Sequence, residues 1–297
     1  KGNESNIKQE GSGSLKLTTG SYPTDANTVG LWHLDETGGT GAYMKDSSAN
    51  ANHGTPTGTT LINGVSGKAR SFNGSSDSIA VGSTGRPTNT FTFEAWFTVN
   101  STHEIDAEST ATTTGTSGQK YLFGAQGLTS PSSGTGLSVG TNGLSVYEHS
   151  DGYMPPLAVY SGTIPSGWNH VAVVYNSKKP SIYLNGALVR TGLTSPKTTV
   201  YAPIQIGGGS YGFHDGKIDE VRISNIARTG EAIAASYRSG RDHYLNRTIS
   251  STDLSTKTTL PFSIASDRPG TYLSATIGES LYVTGQPDGN TVGLWHL

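Results

Sequence analysis

The sequence predicts an all-β protein, built as a sandwich of two antiparallel sheets with one short helix. Segments of alternating apolar and polar residues recur along the chain, and residues 90–100 (TFTFEAWFTVN) are the clearest of them. Asn-Gly steps at Asn142 and Asn185 each separate two such segments, and this dipeptide is the strongest short hairpin signal. Repeated hairpins of this kind are typical of antiparallel sandwiches.

The composition favours an extracellular β-protein. Of the 297 residues 33% are hydrophobic and only 14% are charged, with Ser, Thr, Gly and Asn in place of charge. The net charge of −2 argues against nucleic-acid binding, which needs a basic surface. No apolar run approaches transmembrane length, so we expect no membrane insertion. Cysteine is absent, as in many bacterial surface proteins. We therefore expect an extracellular or cell-surface location and a bacterial origin.

Turn signals divide the chain into elements. Residues 1–26 predict a polar linker with one strand, and residues 101–119, rich in Ser and Thr, predict a long surface insertion. Residues 229–240 predict the helix, because Ile233 and Tyr237 lie one turn apart and Gly240 is a plausible stop. Strands are predicted at 27–34, 69–73, 77–81, 90–100, 121–125, 137–139, 144–147, 168–176, 180–191, 204–208 and 217–224.

One stretch of the chain occurs twice. Residues 27–34 read NTVGLWHL, and residues 290–297 repeat all eight letters, at an offset of 290 − 27 = 263 residues. An identity that includes Trp and His predicts tandem repetition. The octet reads as a strand with apolar groups on both faces, which indicates burial between two layers.

The repeat suggests a division into domains. Residues 1–26 precede a sandwich at 27–240, residues 241–289 form a connector or a small β domain with extra strands, and residues 290–297 begin the next repeat. The second octet would continue into the next unit either covalently or by docking into a neighbouring copy. Head-to-tail contacts between copies need not close into a ring, so docking would give a filament. The predicted intersubunit strand presents Asn290, Val292, Leu294, Trp295 and Leu297.

Seven motifs follow one another in a recognisable order. They are LWHLDETGG, DSSANANHG, GKARSFNGSSDSIAV, FTFEAWF, GWNHVAVVYN, SIYLNGALV and GKIDEVRISNIARTGEAI. Over residues 27–240 this order resembles the laminin G-like domains of the concanavalin A-like lectin superfamily. The resemblance implies that the sandwich is a jelly roll.

The same resemblance implies a structural Ca²⁺ where the first and last strands meet. The matching positions are Asp35, the carbonyl around Gly74, and Asp219. Carboxylates and carbonyls from distant loops suit Ca²⁺, which takes six to eight oxygen ligands. Asp219 also lies among apolar residues, so its carboxylate needs a partner if it is buried. The alternative to calcium binding is that Asp219 caps a turn or pairs with a neighbouring cation. The Asp46 loop could form a second oxygen cluster, although Asx-turn chemistry explains it equally.

Polar and aromatic residues on candidate loops suggest a glycan site. Aromatic rings offer platforms for sugars, and acid or amide groups bind their hydroxyls. Tyrosines are also common in strands, so an ordinary structural role stays open for each. The candidates are Tyr147, His149, Asp151, Tyr153, Tyr160, Tyr211, His214 and Asp215.

Glu104, Asp106 and Glu108 resemble the E-x-D-x-E signature of a glycoside hydrolase family with the same fold. On a strand the three side chains would share one face, as a retaining pair with an assisting acid requires. Here the motif lies inside the polar insertion and lacks flanking apolar alternation. We therefore expect a mobile, solvated and inert segment.

These patterns favour a non-enzymatic adhesive or structural module of a tandem-repeat surface protein. Its expected partners are neighbouring copies of itself and a glycan or surface protein. Two alternatives stay open: a carbohydrate-binding module of a secreted glycosidase, and a glycosidase that uses Glu104, Asp106 and Glu108.

Overall fold

The computed structural model describes residues 20–111, 115–150 and 155–248, and five strands outside these ranges. Among the described residues, 20–244 form one compact unit, and the strands within 7–17 and 259–284 belong to another. The predicted strand at 290–297 and the candidates Asp151 and Tyr153 lie outside the described residues.

The second unit contains two small antiparallel sheets. β1 (Ile7–Glu10) pairs with β2 (Ser14–Leu17). The other sheet contains three strands from the segment predicted to be a connector or small β domain.

The strands of the first unit begin with the repeated octet. In chain order the first half comprises β3 (Thr28–Trp32), β4 (Thr55–Thr57), β5 (Thr60–Asn63), β6 (Lys68–Asn73), β7 (Ser78–Ala80), β8 (Phe91–Val99), β9 (Tyr121–Gly124), β10 (Ser132–Gly140) and β11 (Gly143–His149).

The second half of the chain completes both sheets and adds the helix. It comprises β12 (Ala158–Ser161), β13 (Asn169–Asn176), β14 (Lys179–Leu184), β15 (Ala187–Thr191), β16 (Thr199–Tyr201), β17 (Gln205–Ile206), β18 (Gly208–Gly209), β19 (Gly212–Phe213), β20 (Asp215–Ser224) and α1 (Gly230–Thr248), followed in the second unit by β21 (Thr259–Phe262), β22 (Leu273–Thr276) and β23 (Tyr282–Thr284).

Two eight-stranded sheets form the predicted sandwich. One has the order β12-β11-β10-β9-β17-β7-β4, with β16 parallel to β10; the other has the order β15-β14-β13-β8-β20-β6-β5, with β3 beside β20. All strand pairs except β10 with β16 are antiparallel among the described residues. Phe93 of β8 and Phe123 of β9 meet edge to face at 4.9 Å, so the buried core lies between the two sheets.

The first octet lies where the motif predicts, in a strand buried on both faces. β3 pairs with the second half of β20, with Trp32 opposite Val221. Trp32 and Leu34 join the main core, while Leu31 packs on the other side with Tyr22 and Trp96. This confirms the two-layer burial expected from the octet. Tyr22 also shows that the sandwich unit begins before residue 27.

The helix is longer than predicted. Ile233 and Tyr237 do pack against the sheet, as their spacing predicts. Gly240 does not end the helix, however, since α1 continues to Thr248. A Cβ at Gly240 would lie 2.6 Å from the ring of Trp96, so glycine serves here as the point of close contact between helix and sheet. No helix among the described residues is both long and apolar enough to cross a membrane.

Candidate functional site

Four aromatic side chains collect on the outward face of the first sheet. Val146 of β11 points into the core, and its neighbour Tyr147 points the opposite way because side chains alternate along a strand. His149 follows on the same face. The aromatic cluster consists of Tyr121, Tyr147, His149 and Tyr211.

Three rings of the aromatic cluster are stacked, and Tyr121 meets two of them edge to face. Tyr211 lies parallel to His149, with 3.9 Å between ring centroids and 5° between planes, and His149 lies parallel to Tyr147 at 6.2 Å. The hydroxyl of Tyr121 lies 2.7 Å from His149 Nε2 and orients the imidazole. Tyr147 and His149 are fully buried, whereas Tyr211 is half-buried.

The acidic motif of the insertion lies beside this cluster and is not on a strand. Asp106 accepts hydrogen bonds from the Tyr147 hydroxyl at 3.0 Å and from the backbone and side chain of Thr116. Glu108 accepts from the backbone N–H of Val159 at 2.7 Å and forms a bidentate ion pair with Arg190. Burial and the nearby Asp106 raise the pKa of Tyr147 far above its usual value. Asp106 and Glu108 are thus anchoring groups. The segment is tied to the sandwich, whereas the sequence analysis expected it to be free in solvent.

His214 and Asp215 lie apart from the stack. His214 is fully buried against Phe72, and burial lowers its pKa to about 4, so the imidazole is neutral. Asp215 is half-buried at the end of the β6–β20 ladder and accepts a hydrogen bond from Asn100 at 3.1 Å. Tyr160 packs partly against the main core. Among the sequence candidates, the structure therefore brings together Tyr147, His149 and Tyr211.

Tyr121 is the member of the cluster that the sequence analysis missed. It begins a predicted strand in which Leu122 and Phe123 are both core residues, so simple alternation does not reveal its outward direction. The available signal was the set of aromatic residues on β9 and β11, the two strands that flank β10, and it became informative only once the strand order was known.

Two of the three predicted calcium ligands meet at one loop. Asp219 is fully buried, and its Oδ2 accepts hydrogen bonds from the backbone of Val65 at 2.6 Å and of Ser66 at 3.0 Å. Asp35 accepts a hydrogen bond from the backbone of Lys68 at the end of the same loop. Burial, and then the adjacent Glu220, raise the pKa of Asp219 well above its usual value.

Gly74 lies too far away to belong to the same ion site. Asn73, next to Gly74, pairs with Asp215 on the β6–β20 ladder. Asp219 lies four residues further along β20, which is about 13 Å from Asp215. Two ligands of one Ca²⁺ are at most about 5 Å apart. The Gly74 carbonyl instead accepts a hydrogen bond from Lys120 Nζ at 3.1 Å. As a set, the three predicted ligands do not fit one ion, and within the described residues no group of three acidic or histidine side chains could hold one.

The Asp46 loop is explained by hydrogen bonds alone. Asp46 Oδ1 accepts from the backbone of Leu31 and Ser48, both at 2.8 Å. Its Oδ2 accepts from the Ser48 hydroxyl and the Asn52 backbone, also at 2.8 Å. These donors satisfy a buried carboxylate and tie the loop to β3, which supports the Asx-turn interpretation.

The two antiparallel sheets form the sandwich that the order of the motifs predicts. The chain belongs to the concanavalin A-like lectin/glucanases superfamily, since the profile of its laminin G-like family matches residues 73–234. A search of curated proteins finds no match.

Solved structures show the same fold at low sequence identity. A sialidase from Trypanosoma rangeli is 18% identical with a TM-score of 0.51, over 74% of this chain and 34% of its own. The HCR/D W1238A mutant is 12% identical with a TM-score of 0.53, over 91% of this chain and 66% of its own. Domain 4 of AbnA, a GH43 extracellular arabinanase from Geobacillus stearothermophilus solved with arabinotriose, is 18% identical with a TM-score of 0.48, over 72% of this chain and 100% of its own. The chain thus spans about a third of the sialidase.

Proposed function

We propose that this chain is a non-enzymatic, glycan-binding module of an extracellular or cell-surface protein, with an adhesive role. The observation that carries the proposal is the stack formed by Tyr147, His149 and the half-buried Tyr211. Stacked rings hold one another rigid, and a rigid aromatic group edged by polar groups is a common feature of ligand sites. The apolar faces of a sugar ring would pack there.

The acidic motif supports binding rather than hydrolysis. A retaining glycosidase needs one carboxyl as acid and a second as nucleophile, both directed at the same bond. Here Asp106 accepts hydrogen bonds from Tyr147 and Thr116, and Glu108 is paired with Arg190. Both carboxylates are therefore committed to holding the insertion.

A glycan array combined with a hydrolysis assay tests this proposal. We expect the full chain to bind a subset of glycans on the array and to release no reducing ends from those glycans. Hydrolysis that disappears in the Glu104→Gln variant would instead support the glycosidase alternative. Absence of binding to every glycan class would refute the recognition role.

We further propose that the module works in a head-to-tail array. This rests on the octet at 27–34, which fills a slot beside β20 in which Trp32 and Leu31 are buried. The identical residues 290–297 would carry the same side chains into an equivalent slot of another unit. Burial of each large apolar side chain contributes roughly 1.5–3 kcal/mol, enough to hold such a strand. Covalent repetition and docking into a neighbouring copy both remain open.

The two tryptophans provide a matched pair of variants. Trp295→Ala should leave the thermal unfolding of the sandwich unchanged but reduce self-association measured by analytical ultracentrifugation. Trp32→Ala should destabilise the sandwich itself by about 3–5 kcal/mol. Self-association at the wild-type level in the Trp295→Ala variant would contradict docking between copies and leave covalent repetition.

A further inference from the structure

Part of the insertion lies over the buried end of the ring stack. We call residues 104–111 the cover segment. Asp106 of this segment contacts the Tyr147 hydroxyl, and Tyr147 is 0% exposed. Two residues on, Glu108 reaches β12 and β15 through Val159 and Arg190. The cover segment therefore lies between solvent and a ring of the proposed glycan site.

The cover segment is attached mainly by polar contacts. None of its side chains is buried; Ile105, Asp106, Glu108 and Ser109 are half-buried, with Ile105 beside Gly143, and the others are exposed. Besides the two carboxylate anchors, backbone hydrogen bonds join Ser109 to Pro156 at 3.1 Å and Glu104 to Gly118 at 3.3 Å. A segment with few buried apolar contacts and solvent-exposed hydrogen bonds opens at a low free-energy cost.

The base of the cover segment is fixed by contrast. His103 is buried, its backbone N–H donates to Asn142 Oδ1 at 3.1 Å, and Asn142 Nδ2 donates to the His103 carbonyl at 2.9 Å. His103 Nδ1 also lies 2.9 Å from the Ser138 hydroxyl. Opening of the cover segment would therefore pivot at His103 and leave the sheet intact.

A shallow, open depression borders the cover segment. It is lined by Ile105, Asp106, Ala107, Glu108, Val159 and Arg190. Solvent therefore reaches the segment beside its two carboxylate anchors.

We propose that the cover segment is a displaceable substitute for the ligand, with Asp106 occupying the position where a glycan hydroxyl would contact Tyr147. Opening would make the Tyr147 hydroxyl accessible to the ligand. This inference rests on the proposed glycan-binding function for its ligand, but the opening itself is a property of the protein alone.

Removal of both anchors tests the proposal in the full chain. In the Asp106→Ala/Glu108→Ala variant, amide exchange within 104–111 should accelerate roughly tenfold or more, because the substitutions remove the charged hydrogen bonds that the two carboxylates accept. Nitration of Tyr147, followed by mass spectrometry, should accelerate with it. Nitration of Tyr175, buried in the core, should stay unchanged. The affinity for array-identified glycans should rise severalfold.

Asp242→Asn is the matched control, since it removes a carboxylate from an ion pair with Arg241 on α1, away from the insertion. It should alter none of these readouts. Nitration of Tyr147 at the wild-type rate, or weaker glycan binding in the double variant, would overturn the proposal. Faster nitration of Tyr147 without glycan binding by any variant would support the displaceable cover and refute the glycan-binding function.

Discussion

At the scale of single residues, buried ionisable groups determine how the fold responds to acid. Glu94 is fully buried but remains charged: although burial alone would raise its pKa, Arg222 and His170 hold that pKa down at about 2. The guanidinium of Arg222 donates two hydrogen bonds to Glu94 Oε1, at 2.7 and 2.9 Å. His214 and His103 are different, because burial lowers the pKa of each to about 4.

These two histidines contribute to the pH dependence of stability. In the unfolded chain a histidine takes up a proton near pH 6.5, but His214 in the folded state does so only near pH 4. Between these values the unfolded state binds more protons, so stability is fully present above pH 6.5 and falls as the pH drops toward 4. We expect the Tm to decline over this window, and His214→Phe to reduce the slope measured by calorimetry.

Leu188→Gln is the control for that experiment, because it changes an exposed side chain that carries no titratable group. Its slope of Tm against pH should match the wild type. A slope that is the same in His214→Phe and in the wild type would contradict the assignment of acid sensitivity to His214.

At the scale of elements, periodicity predicted most long strands and missed several short ones, although the short β7 and β17 were predicted and the first half of β10 was not. β8 and β13 agree with their predicted spans because each alternates over many residues. β4 and β12 contain only three and four residues and were not predicted, since so short a segment carries too little alternation. The extension of α1 was missed because Gly240 is a strong local stop signal that contact with Trp96 overrides.

Gly240 provides a test of this helix–sheet contact. Gly240→Ala should gain up to about 1 kcal/mol of helix propensity but lose more through overlap with the Trp96 ring, for a net destabilisation of about 1–2 kcal/mol. Gly230→Ala is the matched control, because its Cβ would lie 3.5 Å from Tyr183, an ordinary contact. Chemical denaturation measures both; a stabilised Gly240→Ala variant would contradict the role assigned to the glycine.

At the scale of the whole molecule, the order of the sequence motifs was sufficient to predict the fold but not the functional site. The predicted sandwich is confirmed, yet the predicted site residues separate into the ring stack, the Asp35–Asp219 loop and the Gly74–Asp215 end of a ladder. Sequence order does not show which outward faces meet, and the contact between Asp106 and Tyr147 joins segments 41 residues apart. Such contacts depend on strand order and register rather than on any local pattern.

Calcium binding stays a prediction, with Asp35 and Asp219 as its remaining ligands. If Ca²⁺ binds between them, saturating metal should raise the Tm by mass action and offset the cost of burying the Asp219 carboxylate. Asp219→Asn should abolish that response, whereas Asp215→Asn, at the other end of the ladder, should retain it. Calorimetry of a calcium-loaded sample before and after chelation measures the shift; an unchanged Tm would refute the prediction.

The central claim is glycan recognition at the stacked rings, and calorimetric titration of Tyr211→Ala tests it most directly. The control is Tyr244→Ala, which removes a side chain that is 37% exposed on α1. With the best glycan from the array, Tyr211→Ala should weaken binding by about tenfold or more, while Tyr244→Ala binds as the wild type does. Unchanged affinity in Tyr211→Ala, with the fold intact by circular dichroism, would contradict the claim.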